Sequence, residues 1–94
     1  MSVNHDRIRQ FEADLHAAFT ASELQISDDS HLHAGHAGAA SGGGHFTLRI
    51  VATEFQGLNQ VARHRAVYAA LDKHFPDAIH ALIINAFAPD EITS

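Results

Sequence analysis

Nine of the 94 residues are histidine and none is cysteine. The donors this chain can offer a metal are therefore imidazoles and carboxylates, with no thiolate, disulfide or Cys-ligated zinc site among them. Neutral imidazole is the commonest metal ligand, and His31, His33, His36 and His45 fall within fifteen consecutive residues. The first three have the spacing HxHxxH. They lie in a segment, Ser30 to Gly44, that holds five of the six glycines and nothing aliphatic larger than alanine except Leu32. Glycine lets backbone and side chains converge at angles other residues resist. Three readings of this segment stay open: a His-only site for zinc or copper in a mononuclear carrier, a solvated polar loop, and ligands that act only with a partner.

Two further histidines stand in regular elements. His80 opens an apolar strand and shares parity with Leu82 and Ile84, where a ring is either half-buried and bonded to backbone or a rigidly held ligand. His64 lies on an apolar helical stripe between Arg63 and Arg65. Those arginines point to different faces of the helix and, with Lys73 and Arg49, make a thin basic patch. His5, His16 and His74 are expected to be exposed or capping, and His45 needs no function.

Catalysis and autonomous nucleic-acid binding find little support. No Ser or Cys nucleophile stands in a recognisable setting, and there is no P-loop, GxGxxG or HExxH. The glycines of "ASGGGH" join two strands and do not lead into a helix N-terminus, where anions gain the dipole. Net charge is −5 with histidine neutral, which disfavours phosphate binding, and the GxxG clamp of a KH module is missing around Gly57 of "FQGLNQ". No segment approaches the roughly 20 apolar residues of a membrane span, and the amino-terminal residues do not resemble a signal peptide. The expectation is a cytoplasmic protein.

The elements that must position these residues follow from periodicity. Ile8, Phe11, Leu15, Ala18 and Phe19 mark one buried stripe of a helix over Asn4 to Ala21, capped by Ser2 or Asn4. Glu23 to Asp28 alternates with a period of two and predicts a short strand. His45 to Thr53 does the same, with Phe46, Leu48, Ile50 and Ala52 on one face, so the two strands form an antiparallel pair joined by the glycine segment. After a turn at Phe55, Gln56 and Gly57, a second helix runs from Asn59 to Phe75, with Val61, His64, Tyr68, Leu71 and Phe75 on its stripe, ending before Pro76. Ile79 to Phe87 is apolar on both parities, as in a strand covered on part of both faces. Pro89, Asp90 and Glu91 look like a helix start in a short tail, 89–94. The order α-β-β-α-β predicts an α+β fold in which one three-stranded sheet carries both helices on one face. At 94 residues the chain is expected to be a single domain over 1–94.

"HF" opening the second strand, "FQG" at the next turn, "RHRAVYAAL" on the second helix, "IHAL" opening the last strand and the histidine-rich "DDSHLHAGHAGA" together resemble the BolA-like family, in its histidine-type loop form. The resemblance covers roughly Glu23 to Glu91 and implies a class II KH-like topology. It also implies a non-enzymatic role beside a monothiol glutaredoxin. In that family a 2Fe–2S cluster is shared in a heterodimer among a glutaredoxin cysteine, glutathione and two BolA-side ligands. The last-strand ligand matches His80; the loop ligand matches His33, with His36 and His31 as close competitors. His64 matches a motif position of structural or contact character. A chain without cysteine cannot hold such a cluster alone, whereas two imidazoles on one iron raise its potential and bind more weakly as pH drops. Assembly, transfer or sensing of iron–sulfur clusters is the function implied. The alternative is a transcription regulator or nucleic-acid-binding module using Arg63, Arg65 and Arg49.

Overall fold

The structure is a computed structural model and describes residues 3–29 and 44–92. Helix α1 (Val3–Ala18) leads into β1 (Ala21–Asp28), and β2 (Gly44–Ala52) is followed by a 3-10 turn, Thr53–Phe55. Helix α2 (Gln60–Ala70) and a second 3-10 turn, Asp72–His74, precede β3 (Ile79–Phe87), and a last 3-10 turn spans Pro89–Glu91. The sheet order is β1-β2-β3, with β1 and β2 antiparallel and β2 and β3 parallel. A parallel pair needs a crossover, and α2 supplies it.

The alternation read along β2 has a physical counterpart. Phe46, Leu48, Ile50 and Ala52 are all buried against Phe11, Leu15 and Phe19 of α1 and against Val67 and Leu71. Both helices thus cover one face of the sheet. Phe11 meets Phe46 edge-on at 5.2 Å between ring centres, and Phe19 lies 5.0 Å from Phe55, a geometry favoured by the ring quadrupoles. Asn4 lies within α1 and does not cap it, and Ala18, counted in the stripe, is exposed. The helix ends at Ala18, and β1 begins at Ala21.

Helix α2 departs most from expectation. Val61 and Tyr68 are exposed, at 59% and 43%, while Arg63, Val67 and Leu71 face inward with Ala66 and Ala70 beside them. The inward face of the helix is built largely of small residues, so the apolar stripe along the sequence does not mark it. Alanines let the helix approach the sheet, and an arginine takes an inward position beside Val67 and Leu71. Asn59 caps as expected, its side chain accepting from Ala62 N at 2.9 Å, but the α-helix stops at Ala70 and only a 3-10 turn continues toward Pro76.

Gly57 turns the chain into α2 with φ +82°, in the left-handed region costly to residues with a Cβ. A Cβ there would meet nothing within 4 Å, so the cost of substitution is conformational alone. Gly57→Ala is expected to lower the unfolding free energy by about 1 kcal/mol, read from the denaturation midpoint at unchanged slope.

His74, expected to be exposed or capping, is 7% exposed. Its Nε2 lies 2.6 Å from Asp14 Oδ2, and its ring meets Phe11 edge-on at 4.7 Å, so it fastens the end of the helical crossover to α1. Asp14 is held below the ordinary aspartate range chiefly by this hydrogen bond, with Lys73 adding to it. A carboxylate depressed in the folded state contributes stability that is present above its unfolded value, near 3.9, and lost as pH falls through the lower folded value. Asp14→Asn should therefore unfold about 1 kcal/mol more easily at pH 7. That deficit should shrink toward zero as thermal melts are repeated from pH 4 down to pH 2; a gap constant with pH would rule this linkage out.

Candidate functional site

His80 is the second residue of β3, and the pairing with β2 slips there. Gly44 stands opposite Ile79 but His45 stands opposite Ala81, so β3 carries one more residue than β2 over this step. A bulge of this kind re-aims a side chain. Ile79 is buried, as are Ile84 and Ala86, yet His80 is exposed. The expectation that His80 shares the inward parity of Leu82 and Ile84 therefore fails, because the bulge changes the phase of the strand between them.

The same slip brings His80 against His45, whose ring centre is 5.2 Å away with planes inclined at 47°. Backbone bonds hold the corner: Gly44 N donates to Ala78 O at 3.0 Å and Asp29 N to His45 O at 2.7 Å. Thr47, two residues along the same face of β2, donates its hydroxyl to the Asp29 carboxylate. His45 is the residue that sequence reasoning passed over. The signal available was that β2 and β3 each open on a histidine, so parallel pairing sets the two side by side. His31, His33 and His36 lie outside the described residues. Among the described residues no group of three or more His, Cys, Asp or Glu could hold a metal.

The two side chains that face each other at this corner, His45 and His80, offer nitrogen donors. The pair fits a histidine-ligated iron in one respect, an outward imidazole held by a strand, and the sulfur an iron–sulfur cluster requires cannot come from a chain without cysteine.

The arginines do not form a basic face. Arg63 is 4% exposed. Its Nε donates to Leu58 O at 2.9 Å, its Nη1 to Ala86 O at 3.0 Å, and its two terminal nitrogens engage Glu91 at 2.6 and 3.0 Å. Glu91 Oε1 also accepts from Ala88 N at 2.6 Å. One guanidinium thus ties the turn before α2, the end of β3 and the final 3-10 turn. Hydrogen bonding to Arg63 holds Glu91 below the usual carboxylate range, and Glu91 raises Arg63 in turn despite its burial. Arg65 is exposed and His64 half-buried on α2. Arg49 lies on the sheet face away from the helices, paired with Glu23 at 3.0 Å and 4.9 Å over the ring of Phe87. A shallow groove between α1 and α2 holds Asp14 and Lys73, which already pair with each other at 3.4 Å.

Together these features define a class: a small α+β domain, three-stranded and mixed, with two helices on one face and an imidazole pair at the corner where the parallel strands begin. Solved structures share the fold. The BolA domain of SufE1 from Arabidopsis thaliana superposes with a TM-score of 0.80 at 38% identity, over 92% of this chain and 95% of that one. Residues 15–91 match the family of BolA-like proteins, and the chain belongs to that family. Among curated relatives, the SufE-like protein 1, chloroplastic/mitochondrial, of Arabidopsis thaliana is 43% identical over 75 residues, 74% of this chain but only 20% of that protein. A relative from Haemophilus influenzae named DNA-binding transcriptional regulator BolA is 34% identical over 80 residues, 85% of this chain and 75% of the relative. No helix among the described residues is long and apolar enough to cross a membrane.

Proposed function

We propose that this chain is a non-enzymatic partner of a monothiol glutaredoxin and lends imidazole ligands to a 2Fe–2S cluster held between them, in cluster assembly, transfer or iron sensing. The observation that carries this reading is where the 30–43 segment joins the sheet. Its flanks, Asp29 and Gly44, are bonded to His45 and Ala78, and Gly44 pairs with Ile79, next to the outward His80. The segment that carries His33, His36 and His31 therefore leaves and rejoins the described fold beside the strand that holds His80. His80 supplies the fixed donor and the loop the adjustable donor, while the partner's cysteine and its glutathione bring sulfur.

When bound, the cluster supplies exchangeable iron and sulfide. Histidine ligation makes its retention depend on neutral imidazole, so release in acid is built into the donor set. The test is anaerobic mixing of the chain with a monothiol glutaredoxin, glutathione, ferrous iron and sulfide. The expected result is a one-to-one complex whose visible circular dichroism differs from that of the glutaredoxin homodimer. A mixture whose spectrum remains that of the homodimer refutes the partnership.

The name of the Haemophilus influenzae relative favours a second reading, a DNA-binding regulator. With Arg63 buried against Glu91 and Arg49 on the opposite face, that reading rests on Arg65 alone among its three arginines. It requires a DNA affinity that falls steeply with salt and weakens in Arg65→Ala.

A further inference from the structure

We propose that His45 and His80 form a two-imidazole site that binds a borderline divalent cation of the zinc class on the free chain, without a glutaredoxin and without the loop histidines. The site goes beyond cluster sharing and does not depend on it.

The first support is geometric. Two imidazoles bound through nitrogen to one tetrahedral ion, at metal–nitrogen lengths of about 2.0–2.1 Å, have their ring centres roughly 5 Å apart. The His45 and His80 rings are 5.2 Å apart and inclined at 47°, a separation that two imidazoles on one ion would have. The second support is preorganisation. Both backbones belong to paired strands, and the bulge that turns His80 outward is bracketed by the pairs Gly44–Ile79 and His45–Ala81. The bonds from Gly44 N to Ala78 O and from Asp29 N to His45 O close the corner on both sides. Little backbone freedom remains to be lost on binding, which favours affinity with few ligands.

The third support is chemical. Imidazole nitrogen suits zinc, copper and nickel, whereas calcium and magnesium want oxygen. His80 is exposed, so the remaining positions of the ion open to water, as in zinc sites that keep a labile ligand. Arg49, the cation two further alternate positions along β2, is engaged by Glu23 and Phe87.

The experiment uses zinc chloride as the probe and a full chain carrying His31→Ala, His33→Ala and His36→Ala, which removes the loop imidazoles. Calorimetric titration should show one zinc per chain, and ring nitrogen NMR should show the signals of both His45 and His80 shifting together. Adding His45→Phe or His80→Phe, which keep ring volume without a nitrogen donor, should each weaken binding at least tenfold. Backbone amide spectra check the fold, and if His45→Phe is disrupted, His80→Phe at its exposed position carries the comparison alone. Loss of all zinc binding in the triple variant, a shift of only one of the two rings, or undiminished affinity in His80→Phe overturns the proposal. None of these readouts involves a cluster, so cluster sharing stands or falls separately.

Discussion

Arg63→Ala is expected to lower the free energy of unfolding by about 3 kcal/mol, while Arg65→Ala, two residues along the same helix, changes it by no more than ~0.5 kcal/mol. The contrast runs against a reading of the two as one basic patch. Truncating Arg63 leaves the carbonyls of Leu58 and Ala86 without their donor inside the fold and removes the cation that engages both oxygens of Glu91. Breaking a buried charge pair costs about 3–5 kcal/mol. The Glu91 side chain is 42% exposed, so water takes over part of its solvation and the effect falls at the lower end. For a domain of this size that corresponds to a melting point roughly 12–24 °C lower. Arg63→Lys should recover less than half of the loss, since an ammonium cannot reproduce the planar fork that reaches two carbonyls and a carboxylate together. Urea denaturation of the three variants decides the matter. Equal midpoints for Arg63→Ala and Arg65→Ala would show that the clamp contributes nothing.

His80→Ala carries the second large effect, on ligand binding and not on stability. The side chain is exposed on its strand, and the variant should unfold within ~0.5 kcal/mol of the parent. In the mixture with glutaredoxin, glutathione, iron and sulfide, however, it should lose the heterodimer's visible spectrum, with cluster retention against a chelator reduced at least tenfold. Groups that merely orient a metal ligand already account for 10–100-fold in affinity, and removal of the ligand itself cannot cost less. Near-constant stability separates ligand loss from misfolding. His33→Ala, His36→Ala and His31→Ala tested beside it locate the loop donor as the variant that reproduces the same loss. An unaltered heterodimer spectrum in His80→Ala would remove the residue on which the proposed partnership rests.

Different physical ranges explain which of these features were readable from sequence. The span of β3, the Asn59 cap, the alternation of β2 and the order α-β-β-α-β are local: each depends on side-chain periodicity or on a hydrogen bond across three residues, and the sequence by itself determined them. The absence of thiolate was likewise settled by composition, and with it the need for a sulfur-bearing partner in any iron–sulfur role. The tertiary structure alone decided the environment of the chemically capable residues. Arg63 meets Glu91 28 residues away and His74 meets Asp14 60 residues away, and each read as solvated because the group that compensates its burial is distant in the chain. His80 faces outward, against His45, through a one-residue slip in the β2–β3 pairing. Such a slip shifts the phase of the inward–outward alternation, but Ile79 to Phe87 is apolar on both parities, so the pattern does not show where the phase changes.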